Sequence, residues 1–110
     1  MHIEVTKRNA LTVVTLSGAL DADSATELEK HTAELLRRGE NAVAIVMNGV
    51  PYVCSAGLRV LLSVQRKLAS SKGSFCLVGV TAQVSEVLDV TGLRTVLKIY
   101  SSLDDACAAL

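Results

Sequence analysis

The sequence predicts an α/β domain, a mostly parallel central sheet of about five strands packed by about four helices. Three observations carry this. The run Ala42 to Met47, "AVAIVM", is apolar at every position, which suits a strand buried on both faces. Strand-length apolar runs alternate along the chain with stretches of helical spacing. Half of the residues are hydrophobic but only 3% are aromatic, so Leu, Val, Ile and Ala must fill the core without large rings. At 110 residues the chain is long enough for one core and too short for two, so one domain over 1–110 is expected.

Ile3 and Val5 alternate with polar residues, and "LTVVTLSG" (Leu11 to Gly18) follows a short turn at Arg8-Asn9-Ala10, which predicts a hairpin. In "DADSATELEKHTAELLRRG", Ser24 and Glu27 read as cap and third residue of a capping box. Leu28, Thr32, Leu35 and Leu36 then form one stripe, and Gly39 is the stop. "AVAIVM" follows as the central strand. Ser55 reads as the cap of a second helix, with Leu58, Leu61, Leu62 and Leu68 at helical spacing and Lys72-Gly73 closing it. "FCLVGV" (Phe75 to Val80) is a second buried strand. "TAQVSEVLDVTG" places Val84, Val87 and Leu88 on one helical face and ends at Gly92. "TVLKIY" gives the last strand, and Ser102 with Asp105 opens a final short helix.

The resulting order, β-β-α-β-α-β-α-β-α, calls for right-handed crossovers between parallel strands. Loops leaving the carboxyl ends of such strands gather on one edge, where open α/β folds keep their working residues. Three loops are expected there: Gly18 to Asp23, Asn48 to Ser55, and Val80 to Ala82.

Composition removes several function classes. Eleven basic residues balance eleven acidic ones, leaving no net field to attract nucleic acid or an anionic membrane. The only rings, Tyr52, Phe75 and Tyr100, form no stacking platform interleaved with basic residues. Cys54, Cys76 and Cys107 are odd in number and widely spaced, with no C-x-x-C pair and no His at ligand spacing. Neither a disulfide framework nor a metal site is indicated, and a reducing cytoplasm is expected. "MHIEVTKRN" lacks the apolar core of a signal peptide, and "AVAIVM" is far too short to span a bilayer, so no membrane insertion is expected.

The stretch "VCSAGL", Val53 to Leu58, concentrates the candidates for chemistry. A serine nucleophile on an elbow wants G-x-S-x-G, but Val53 stands where the first glycine belongs. The two histidines, His2 and His31, are not placed to serve as a base for Ser55. Cys54 at a helix start would have a stabilised thiolate, yet cysteine is more often a small core hydrophobe. Gly49 and Gly57 are too few for a phosphate cradle, and a Gly-Lys-Ser/Thr ending is absent. Asp21 and Asp23 precede the first helix and read first as caps, then as partner contacts. Ser55 remains as a regulatory position.

"NGVPYVCSAGLRVLLSV" resembles the signature of STAS domains, the family of bacterial anti-sigma factor antagonists, and "VVTLSGALDADSATEL" resembles the family's second strand and first helix. The order of elements agrees over nearly the whole chain. The resemblance implies that Ser55 is phosphorylated by a partner, an anti-sigma factor serine kinase, and that Asp21, Asp23, Asn48, Cys54, Ser55, Ala56 and Gly57 form the partner-binding edge. It implies no catalytic residue, cofactor, metal or small-molecule substrate. Two positions depart from the family pattern: Asn48 replaces an acid at the end of the third strand, and Cys54 stands where an aspartate usually precedes the serine. Stand-alone STAS proteins also resemble docking subunits of lipid-transport ATPases and members of stress-signalling assemblies, a second implied role. A third class, an enzyme using a Cys54 thiolate, requires rapid alkylation of that residue.

Overall fold

A computed structural model describes residues 1–109. The described residues form strands β1 (His2–Arg8), β2 (Leu11–Ser17), β3 (Ala42–Gly49), β4 (Ser74–Val78) and β5 (Lys98–Tyr100). The helices are α1 (Ala22–Arg37), α2 (Ser55–Ser70), α3 (Ala82–Val90) and α4 (Leu103–Ala108). The sheet order is β1-β2-β3-β4-β5. β1 pairs antiparallel with β2, and the other neighbours are parallel. The sheet is therefore mixed and mostly parallel, in the predicted element order.

Each parallel step moves to the next position in the same direction, so crossovers of one hand must lay α1, α2 and α3 on the same face. The core shows this. Val14, Leu16, Val43, Ile45, Met47 and Leu77 of the sheet join Leu28, Leu35, Leu61, Leu68, Val84 and Leu88 of these helices in one cluster. The opposite face carries Leu11, Val13, Ala44, Cys76 and Val78, covered by Ala106 and its neighbours on α4. Central β3 is buried on both faces, as its unbroken apolar run requires. Each fully buried Leu or Ile here adds about 1.5–3 kcal/mol over exposure. No described helix is long and apolar enough to cross a membrane.

Several local expectations are corrected. Helix α1 is capped by Asp21, not Ser24: Asp21 Oδ1 accepts the Ser24 N–H at 2.9 Å, and Ser24 Oγ accepts the Asp21 N–H at 2.8 Å. The box is intact but starts three residues early. Gly39, with φ +87°, follows the helix in the left-handed conformation that stops it. In α2 the buried face runs through Gly57, Val60, Leu61, Val64 and Leu68, while Leu58 and Leu62 are only half-buried. Lys72 takes the left-handed backbone that closes α2, with φ +60°. The last strand is three residues long because the N–H groups of Val96 and Leu97 donate to Leu93 O, at 3.0 and 2.9 Å, closing a 3-10 turn over Leu93–Thr95. Those groups are spent before the sheet begins.

Candidate functional site

The carboxyl ends of the parallel strands bring the three predicted loops together, and backbone hydrogen bonds join them. Gly18 N donates to Gly49 O at 2.9 Å and Leu20 N to Tyr52 O at 3.0 Å. Cys54 N returns a bond to Leu20 O at 2.9 Å. Leu20 and Val53 thus form a parallel bridge outside the named strands. The third loop is tied to the second by Thr81 Oγ1, which donates to Val50 O at 3.1 Å while also accepting the Val84 N–H that starts α3. Loops held this way form a rigid rim.

This rim decides where α2 begins. With its N–H committed to Leu20, Cys54 is held extended at φ −83°, ψ 173°, and becomes the N-cap. Ser55 is therefore the first helical residue and not the cap. The Cys54 side chain makes no capping hydrogen bond, and no acidic residue lies in the first turn. The N–H groups at this end of α2 thus lack both a side-chain acceptor from the cap and a compensating carboxylate. Ser55 is exposed, Cys54 and Ala56 are half-buried.

The other predicted positions divide by environment. Asp21 is exposed and serves as the α1 cap; its carboxyl is held below the usual aspartate range, chiefly by the Ser24 N–H and then by the Ser24 hydroxyl. Asp23 is exposed in the first turn of the same helix. Asn48 is exposed at the end of β3, with its side chain against Gly79. Gly57 points inward: a Cβ there would stand 2.8–2.9 Å from Leu20 and Val53 side-chain carbons. It sets how closely α2 approaches the rim and offers no surface of its own.

Two rim residues escape the sequence reading. Pro51 and Tyr52 are exposed in the loop that leads to Ser55, and Tyr52 keeps 52% of its surface open in a chain with three Phe, Tyr or Trp rings. A tyrosine in a strand-to-helix loop of so aromatic-poor a chain is the signal that marks it. The rim thus presents a hydroxyl, small residues, an open ring and a proline. Among the described residues no group of three or more His, Cys, Asp or Glu side chains is arranged to hold a metal ion.

A family model described as "STAS domain" matches residues 2–106. BtrV of Bordetella bronchiseptica, classed by name with the anti-sigma factor antagonists, is 28% identical over 109 residues, covering 99% of this chain and 94% of its own. The anti-sigma-F factor antagonist RsfB of Mycobacterium tuberculosis is 25% identical over 104 residues, covering 94% and 84%. A crystal structure from Thermotoga maritima, of a protein given the same antagonist designation, superposes with a TM-score of 0.93 at 25% identity, covering 97% of this chain and 92% of that one.

Proposed function

The chain belongs to the STAS domain family, and from that premise we propose that it is an anti-sigma factor antagonist whose binding to an anti-sigma factor kinase is ended by phosphorylation of Ser55. The observation that carries this is the exposed Ser55 at the first turn of α2, on the rim built by three joined loops. The antagonist designations of full-length relatives support the same class.

In the transfer step the Ser55 hydroxyl oxygen attacks the γ-phosphorus of ATP held by the partner. The new O–P bond forms as the bond to the β-phosphate oxygen breaks, ADP leaves, and the hydroxyl proton passes to a base of the kinase. The product carries about −1.5 to −2 charges beside the N–H groups that open α2. Within the domain this is favourable by about 0.3–1 kcal/mol through the helix dipole. At an interface pressed against Tyr52 and the small residues of the rim, an unpaired dianion costs on the order of 2–5 kcal/mol. The partner loses more than the fold gains, so the switch acts on binding.

The test is incubation of the purified chain with the anti-sigma factor kinase of its source organism and ATP, followed by peptide mapping and affinity measurement. One phosphate on Ser55 and an affinity at least about thirty-fold weaker are expected. Phosphate absent from Ser55, or present with affinity unchanged, overturns the reading. Cys54 in place of the usual aspartate favours one other reading, a non-enzymatic docking subunit of a lipid-transport ATPase or a stress-signalling assembly that uses the same rim unmodified. Recovery of such a partner, with Ser55 never phosphorylated, decides for it.

A further inference from the structure

The α2 helix carries Arg59, Arg66 and Lys67 and no acidic residue. At 100° per residue Ser55, Arg59, Leu62 and Arg66 fall within one narrow stripe, on the side away from the buried Gly57, Val60, Leu61, Val64 and Leu68. Neither Arg59 nor Arg66 has a carboxylate within 4.0 Å among the described residues, whereas Lys7, Arg8, Arg37 and Arg94 each have one. Beside this stripe the α1 and α2 helices leave a groove of about 630 Å³. Ala25, Ala56 and Ser63 give it small walls; Arg59 and Arg66 line one side, and Glu29 of α1 is its single carboxylate.

We infer that this groove takes an acidic amphipathic helix of the protein partner, with carboxylates two turns apart on Arg59 and Arg66 and a small apolar face over Ala56 and Leu62. The charge is complementary, two guanidinium groups against one carboxylate, and unpaired guanidinium groups are suited to holding carboxylates bidentately. The seven-residue interval from Arg59 to Arg66 spans about 10 Å along the axis, which the i and i+7 positions of a second helix match. The small wall residues allow close helix approach. The groove is also continuous with the rim, since Ala56 lies in its wall and Ser55 starts its stripe. In this respect the inference rests on the proposed function: a phosphate on Ser55 stands one turn from Arg59, pairs with it, and repels the acidic helix. Modification would then reverse the charge at one end of the groove as well as obstructing the rim.

The experiment places a photo-crosslinking benzophenone amino acid at Ser63 in the groove, and separately at Tyr52 on the rim, of the full chain in its source cells, and maps the crosslinked peptides. Attachment from position 63 to an acidic helical segment of the same protein captured from position 52 is expected. Charge reversal by Arg59→Glu or Arg66→Glu should weaken that partner about tenfold or more, while Lys98→Glu on β5 leaves it unchanged. Thermal melts confirm that each variant is folded. Attachment from position 63 to a second copy of this chain, to a neutral or basic segment, or to nothing while position 52 still crosslinks overturns the groove assignment and leaves the rim intact. Loss of binding on either arginine reversal with no phosphate ever found on Ser55 overturns the switch and leaves the groove. Crosslinking from neither position overturns both.

Discussion

Gly57 in α2 lies directly against Leu20 in the β2–α1 loop: a Cβ built on the glycine would stand 2.8 Å from Leu20 Cγ and 2.9 Å from both Leu20 Cδ2 and Val53 Cγ1. Leu20 is 0% exposed and Val53 6%, so neither side chain has open space to retreat into. Overpacking of this kind costs about 1–3 kcal/mol. The opposing gain in helix propensity, at most about 1 kcal/mol, is incomplete in a first turn. Gly57→Ala should therefore destabilise the fold by about 1–2 kcal/mol, lowering Tm by roughly 4–8 °C per kcal/mol. Because the displaced residues are the two halves of the bridge that holds the rim, partner affinity should fall as well. An unchanged Tm would show that α2 is free to move away from the rim.

Acid should weaken the fold through carboxylates bonded in the native state. The Ser24 N–H holds the Asp21 carboxyl below its ordinary value, Arg37 does the same for Glu34, and Lys7, then Thr12, for Glu40. A group whose pKa is lower when folded adds stability above its unfolded pKa and loses it as pH falls through the folded one. With ordinary values of 3.8 for Asp and 4.5 for Glu, the loss should begin as pH drops toward those values and continue below them. Melting curves from about pH 6 to about pH 2 test this. Asp21→Asn keeps a capping side chain but removes both its titration and its negative charge at the start of α1, so it should flatten the slope and lower the neutral-pH Tm slightly.

Burial pushes the Cys76 thiol from 9.0 up to about 11, with the Cys107 thiol adding to the shift. Its thiolate at neutral pH is about a hundredfold scarcer than for an unshifted thiol, and its side chain on β4 is covered by α4. Iodoacetamide should therefore label Cys76 only after unfolding. Here the folded pKa is the higher one. The Cys76 contribution to stability is thus complete below about pH 9 and lost as pH rises toward 11. A Cys76→Ala variant, less packed at neutral pH, should lose less stability across that alkaline range.

The sequence discloses elements whose signals are local and conceals those set by distant partners. The central place of β3 is legible because each residue from Ala42 to Met47 is apolar, which half-exposed strands do not tolerate. The start of α1 is ambiguous in sequence, since Asp21 and Ser24 are both good caps. The choice is made by Ser24 Oγ, which donates to Ala19 O at 2.8 Å in the loop before the helix. The start of α2 depends on the Leu20–Val53 bridge, a pairing across more than thirty residues that no local pattern contains. The rim around Ser55 follows from the element order and a short motif. The α1–α2 groove does not, because which side of α2 meets α1 is fixed only when both helices pack on the sheet.

The charge at position 55 can be tested apart from any partner. Ser55 is exposed in the first turn of α2, where Cys54 supplies no capping acceptor and no acidic residue is present. An anion there should meet the positive end of the helix dipole and a cation should be repelled, each by about 0.3–1 kcal/mol. Relative to Ser55→Ala, Ser55→Asp should raise Tm by a few degrees and Ser55→Lys should lower it. The spread should shrink in high salt, because the interaction is exposed and screened. This ordering separates two explanations of a switch. If the aspartate variant melts no lower than the alanine one yet binds partner far more weakly, the added charge acts at the interface. Were Ser55→Asp to melt well below Ser55→Ala, the hydroxyl would be sensed by the fold, and loss of binding would follow from local unfolding of the rim.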